Sequence, residues 1–239
     1  GHECAGIVAK IGAGVKSLKV GDRVCFEPQI TCGKCVYCRS GHYNMCPDVV
    51  FPSTPPYDGM LRDYVAIPAE NAFKLPDGIS TKEGALIEPL AVGLSAAEKG
   101  EVSLGKTVVI LGAGCIGLVT MMACKAMGAS QVIMTDLYAA RLEHALKLGA
   151  DAVINASEED TVQKVMELTN GEGADVVFEA ASNHITASQT ADLVRRCGIV
   201  ILVGNINGIT PYLFMDLMYR EAQIRTIYRY RNNFNTALK

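Results

Sequence analysis

The chain has 239 residues, 49% of them hydrophobic and 20% charged, with a formal net charge of −3. That length gives room for one large or two modest domains with a substantial core, and that charge gives no electrostatic reason to expect nucleic acid or an anionic membrane as a partner. No apolar run reaches the roughly 18 residues of a membrane span, and nothing at the start resembles a signal peptide, so a cytoplasmic location is expected.

The chain opens on Gly1-His2-Glu3-Cys4 with no cap or turn before it, and residues 232–239 begin a helix-like pattern that stops. Both ends read as cuts in a longer protein. Residues 1 to 80 alternate short β-like runs (5–11, 23–26, 64–67) with turns such as Gly12-Ala13-Gly14 and Pro55-Pro56-Tyr57-Asp58-Gly59. That alternation predicts an irregular all-β unit. Over 81–99 the apolar residues Ala85, Leu86, Leu90, Leu94 and Ala97 predict a helix linking two units. Beyond it, apolar runs predict strands at 107–111, 131–135, 151–154, 175–179, 198–203 and 223–228, with helices at 116–128, 138–148, 158–169, 184–196 and 213–220. Strands alternating with helices in this way require parallel pairing through right-handed crossovers, so the fold class is α/β with a doubly wound parallel sheet.

The first of those strands runs into Gly112-Ala113-Gly114-Cys115-Ile116-Gly117, and the next ends on Asp136. Strand, glycine turn, helix, second strand and acid form the context in which G-x-G-x-x-G marks a dinucleotide site, hence a Rossmann sheet. Gly112 permits the tight turn, Gly114 lets backbone approach a pyrophosphate, and Gly117 lets the helix pack on the strand. The helix N-terminus offers free N–H groups to the phosphates. Asp136 falls near the roughly 20-residue offset of an acid that accepts from the adenosine ribose hydroxyls.

Of nine cysteines, four crowd into one loop as Cys32, Cys35, Cys38 and Cys46, or C-x2-C-x2-C-x7-C. Four thiolates on one loop close around a tetrahedral Zn2+ and leave no open position, which makes a structural site. His42 could replace one thiolate, but four sulfurs already complete the shell. The other five cysteines lie in apolar runs and are expected to be buried thiols. Met121, Met122 and Met127 are expected to pack in a core, and His144 and His184 to be solvated.

Gly1-His2-Glu3, the four-cysteine loop, Glu88-Pro89-Leu90 and Gly112-x-Gly114-x-x-Gly117 follow one another as in the zinc-dependent medium-chain dehydrogenases, which the chain resembles over essentially its whole length. Phe51-Pro52-Ser53-Thr54, Ala85-Leu86-Ile87-Glu88 and Tyr228-Arg229-Tyr230 are similar to the polyol branch, the sorbitol and xylitol dehydrogenases. The resemblance implies a partial GroES-like catalytic domain at 1–86, a Rossmann domain at 87–228 and a return segment from 229. It implies that His2 and Glu3 ligate a catalytic zinc and that Glu88 holds or exchanges with the metal's water and contacts substrate. Arg229 and Tyr230 would line the polyol and nicotinamide. Ile116, Asp136, Arg141, Val203, Gly204, Asn205, Ile227, Tyr228 and Arg229 would contact the cofactor. The family's third zinc ligand is a cysteine upstream of the Gly-His-Glu and outside this chain, so the fragment by itself is expected to be inactive. A homo-oligomer, dimer or tetramer, is expected by analogy, with the last strand at a sheet edge.

Oxidising a secondary alcohol removes a proton from oxygen and a hydride from carbon. A zinc ion stabilises the developing alkoxide, and a nicotinamide takes the hydride. Asp136 favours NAD, because its carboxylate accepts from a free 2′-hydroxyl and repels a 2′-phosphate, although Arg141 five residues on could accept one. The expected function is therefore NAD-linked oxidation of a polyol or other secondary alcohol to the ketone. A threonine- or butanediol-type dehydrogenase and a non-catalytic nucleotide-binding relative are the alternatives.

Overall fold

A computed structural model describes all 239 residues and divides into two compact units, 1–91 with 228–239, and 92–227. In the first, β1 (Ala5–Ile7), β2 (Arg23–Phe26) and β3 (Ala72–Lys74) form an antiparallel sheet in sequence order, with Cys25 opposite both Ala5 and Phe73. Between β2 and β3 lies the one-turn helix α1 (Val36–Arg39), and after β3 comes α2 (Thr81–Gly84). The Ser80 hydroxyl accepts from Glu83 N–H while the Glu83 carboxylate accepts from Ser80 N–H, fixing where α2 begins.

Two expectations fail in this unit. Residues 64–67 form no strand, and the third strand is instead 72–74, which takes the free edge of β2. A three-residue Ala-Phe-Lys run carries no periodicity from which it could be read. The helix expected over 81–99 is two, because the chain turns at 85–86 before α3 (Ile87–Lys99) starts. Pro89 fits in the first turn of α3, where N–H groups have no helical partner.

The second unit continues with β4 (Thr107–Leu111), α4 (Cys115–Ala126), β5 (Gln131–Asp136), α5 (Ala139–Lys147), β6 (Ala152–Asn155) and α6 (Thr161–Leu168). It ends with β7 (Ala174–Glu179), α7 (His184–Leu193), β8 (Val194–Leu202), α8 (Phe214–Arg220) and β9 (Gln223–Thr226). All pairings in its sheet are parallel, in the order β6-β5-β4-β7-β8-β9. Alternate residues feed two separate cores: Val108 and Ile110 join Met121 and Phe178 on one face, Val109 and Leu111 join Ile133 and Val177 on the other. Burial on both faces is why these strands read as continuous apolar runs. The order reverses between β4 and β7, and that switch point is where such sheets open a crevice for ligands.

The expected helix over 184–196 stops at Leu193, and β8 begins at once. The pairing with β7 shifts register between Ala174 and Val176, opposite Cys197, whose φ is +57°. This bulge interrupts the alternation from which the strand start would be read. It also exposes Cys197, and Cys115 is exposed at the start of α4, so only Cys25 and Cys124 of the five dispersed cysteines are buried as expected, with Cys4 half-buried. Met121 is buried and Met127 packs against the core, but Met122 points off the packed face and is exposed. His144 and His184 are exposed as expected. The chain closes with α9 (Phe234–Ala237), which belongs to the first unit.

Candidate active site

In the first unit, His2, Glu3 and Glu88 bring one ligand atom each to within 4.8 Å of one another. Residues 1–4 precede β1 and are not in a regular strand, so the two adjacent side chains can reach one point. His2 Nδ1 lies 3.0 Å from the Ser53 hydroxyl, which leaves Nε2 facing Glu88 Oε1 at 3.9 Å. Phe51 packs against the His2 ring at 5.0 Å in a T-shaped contact. Burial lowers the His2 pKa, with Glu3 opposing, so the ring is neutral and its lone pair available to a metal.

Glu88, in the first turn of α3, is buried, and that burial pushes its carboxyl up to about 7. The fully buried Tyr230 hydroxyl donates to Glu88 Oε1 at 2.7 Å and works against the shift. Arg229 is sandwiched between the Phe51 and Tyr228 rings at 4.3 and 4.7 Å, and its buried Nη1 has no partner. One neutral imidazole, two carboxylates and an orphaned guanidinium nitrogen fit a metal-centred site that receives a hydroxylated ligand.

Cys32, Cys35, Cys38 and Cys46 also hold their sulfurs within 4.8 Å of one another. Cys35 and Cys38 are 3.4 Å apart and Cys32 and Cys38 4.0 Å. A tetrahedron with Zn–S bonds of about 2.3 Å has edges of about 3.8 Å, so the cluster has the right size. The local fold explains it: Cys35 caps α1 by accepting from Cys38 N–H, which turns both sulfurs inward. Backbone N–H groups, first of Lys34 and then of Cys35, lower the Cys32 thiol to about 7, while burial and neighbouring sulfurs raise Cys38 to about 11. A dication relieves that conflict by stabilising every thiolate.

In the second unit the glycine turn is sterically fixed. A Cβ on Gly117 would lie 1.9 Å from the Gly112 carbonyl oxygen, whereas one on Gly114 would meet nothing within 4 Å. Gly114 caps α4 without a side chain, leaving the first N–H groups of the helix accessible. Asp136 braces the turn: Oδ2 accepts from Ala113 N–H at 2.9 Å and Oδ1 from Tyr138 N–H at 3.0 Å. Arg141 Nη1 lies 3.4 Å from Asp136 Oδ2, its guanidinium 5.0 Å over the Tyr138 ring.

Gly112, Gly114, Asp136 and Arg141 line one cavity of about 690 Å3, with Tyr138, Asn183 and Thr186 among its other walls. Ile116, Val203, Gly204, Asn205 and Ile227 do not line it. Val203 and Gly204 N–H both donate to the Glu179 carbonyl at 2.9 Å, and Asn205 N–H to the Ser182 hydroxyl at 3.1 Å, so this turn is tied to the end of β7. Ile227 packs against the sheet core, and Tyr228 belongs with Arg229 and Tyr230 in the first unit. No sequence motif marks Ser53 as a partner of His2, or Tyr138, Asn183 and Thr186 as cavity walls. Tyr138 lies two residues beyond Asp136, but no spacing rule links Ser53, Asn183 or Thr186 to the site, because fold contacts alone bring them there.

A three-stranded antiparallel unit with two metal-ligand clusters, joined to a doubly wound unit with a glycine turn, defines a zinc-binding dehydrogenase. The chain belongs to that family: residues 115–239 match the zinc-binding dehydrogenase model and residues 1–77 the alcohol dehydrogenase GroES-like domain. It is 45% identical, over 100% of its length and 69% of the relative's, to the zinc-type alcohol dehydrogenase-like protein YdjJ of Escherichia coli. It is 42% identical to the sorbitol dehydrogenase of Bacillus subtilis, covering 98% of this chain and 67% of that one. Among solved structures, an Escherichia coli oxidoreductase/dehydrogenase of unknown specificity superposes with a TM-score of 0.97 at 44% identity, covering 99% of this chain and 68% of that one. A zinc-binding dehydrogenase of Sinorhizobium meliloti, bound to NADP, has a TM-score of 0.94 at 30% identity, covering 99% and 70%. No helix is long and apolar enough to cross a membrane.

Proposed function

We propose that the protein oxidises a polyol or other secondary alcohol to the ketone with NAD, using one structural and one catalytic zinc. The observation that carries this reading is the convergence of His2, Glu3 and Glu88 beside the orphaned Arg229 guanidinium. The likeness to the Bacillus subtilis sorbitol dehydrogenase supports a polyol as substrate. Cys32, Cys35, Cys38 and Cys46 would hold the structural ion, and His2, Glu3 and Glu88 would contribute to the catalytic one. When bound there, zinc supplies Lewis-acid stabilisation of the alcohol oxygen as its proton leaves, and NAD supplies the hydride acceptor.

The remaining work falls to side chains. The Ser53 hydroxyl holds the His2 ring by Nδ1. The Tyr230 hydroxyl donates to Glu88 Oε1 at 2.7 Å and sets the direction in which that carboxylate faces His2 and Glu3. Arg229 Nη1 is the donor available to a substrate hydroxyl. Asp136 binds the ribose and disfavours a 2′-phosphate, Arg141 covers the adenine side, and the Val203-Gly204-Asn205 turn, Ile116, Ile227 and Tyr228 complete the cofactor contacts. Clustered thiolates suit the reducing cytosol. A second copy of the chain would pair along β9, the sheet edge, beside the exposed Phe214, Met218 and Tyr219.

The test is a polyol panel on the full-length protein with NAD and with NADP, alongside metal analysis. Two zinc ions per chain and chelator-sensitive reduction of NAD are expected. One zinc with no NAD reduction by any polyol would sink the reading.

A further inference from the structure

The segment that carries Arg229 and Tyr230 is strained. Arg229 and Asn232 both adopt φ of +57°, a left-handed conformation that asparagine takes readily but that an arginine holds only when its surroundings impose it. The surroundings here are the cysteine loop and the residues that lead into it. Asn44 Nδ2 donates to the Tyr228 carbonyl at 2.9 Å, and Asn232 N–H donates to the Tyr43 hydroxyl at 2.7 Å. Asn232 Nδ2 donates to the Gly41 carbonyl at 3.3 Å, and Gln29 Nε2 to the Tyr230 carbonyl at 2.9 Å. Tyr43 also bonds the buried Glu27 carboxylate, which tethers it to the strand end that Asn71 clamps through the Glu27 and Gln29 carbonyls. Gly41, Tyr43 and Asn44 all lie between Cys38 and Cys46, two of the four sulfur ligands.

The geometry points to the cysteine loop as the positioning device of the catalytic acid, with Tyr43 and Asn44 holding residues 228–232 so that the Tyr230 hydroxyl meets Glu88. The path is short and continuous: the sulfurs fix 38–46, Tyr43 and Asn44 fix the 228–232 backbone, and Tyr230 fixes Glu88 Oε1. The left-handed Arg229 is a conformation from which that backbone would relax if the loop released it. The loop is therefore more than a staple for the unit. Neither Tyr43 nor Asn44 touches substrate or cofactor in this scheme, so they are positioning residues. The kinetic part of this inference rests on the dehydrogenase reading; the geometric part does not.

The experiment compares Tyr43→Phe, which keeps the ring and loses the hydroxyl, with Asn44→Asp, which keeps the size and loses the Nδ2 donor. Both are made in the full-length zinc-loaded protein, alone and with Tyr230→Phe, and all tyrosines carry 13C at Cζ. Each single variant is expected to shift the Tyr230 resonance, identified by its loss in Tyr230→Phe. Each should also lower polyol kcat/KM about tenfold or more, as small misplacements near a reacting centre do, with zinc content unchanged. In the Tyr230→Phe background the same substitutions should cost clearly less in kcat/KM than in the wild type. An unmoved Tyr230 resonance, or losses that multiply independently of Tyr230, would overturn the proposal. If the wild type oxidises no polyol, the dehydrogenase reading fails by itself and the Tyr230 resonance alone decides the positioning claim. Should Tyr43→Phe fail to fold, Asn44→Asp carries both readouts.

Discussion

Glu88 is buried beside two other carboxylates, Glu3 and Glu27, with only the Tyr230 hydroxyl to stabilise its charge. Its carboxyl is accordingly raised from 4.5 to about 7 before any metal arrives. An acid raised on folding contributes stability that is fully present below its unfolded value and is lost as pH rises through its folded one. The difference corresponds to about 3 kcal/mol. Through this group metal-free protein should lose up to that much between pH 5 and 8 in urea unfolding, and Glu88→Gln should remove that share of the dependence. A wild type and Glu88→Gln with parallel pH profiles would contradict it. The cysteine spacing is legible by itself, whereas His2, Glu3 and Glu88 are singled out only by the resemblance to the dehydrogenases. Ser53, Tyr43 and Asn44 are marked by neither, because they act through folded-state contacts with His2 and with 228–232, and no local pattern encodes a partner some 50 or 190 residues away.

At the scale of elements, the β4–α4 turn leaves no choice at Gly117. A methyl group there would collide with backbone rather than with a movable side chain. Gly117→Ala is expected to destabilise the second unit by more than about 2 kcal/mol and to abolish NAD binding, read by thermal unfolding and by fluorescence titration with NADH. Unchanged Tm and affinity would refute the packing argument. The six strands of this unit were readable within a few residues, because burial on both sheet faces concentrates apolar residues into runs. In the small sheet β2 lies where a strand is expected and β1 within 5–11, but β3 is not readable, since it has three residues and its existence depends on β2 offering an edge. The start of β8 was hidden for a different reason, a bulge that breaks the alternation.

For the molecule as a whole, the open question of assembly falls on the β9 edge. That strand is paired on one side only, and Phe214, Met218 and Tyr219 of α8 expose 64%, 68% and 76% of their surface. A second copy is expected to pair at this edge, near those exposed apolar side chains. Light scattering should report a dimer or larger, and Ile224→Lys, which sets a charge on the edge, should lower the mass. A monomeric wild type, or a variant of unchanged mass, would remove the edge from consideration.

Asp136 carries a burden that a motif reading conceals. A carboxylate has about four acceptor positions, and Ala113, Tyr138 and Arg141 already draw on three of them. The oxygens proposed to discriminate between dinucleotides are thus also the latch that shapes the glycine turn. A redesign toward NADP that simply deletes this acid would dismantle the phosphate cradle along with the preference. The economical route keeps Asp136 as latch and recruits Arg141, whose 3.4 Å contact is the longest of the three and the easiest to release.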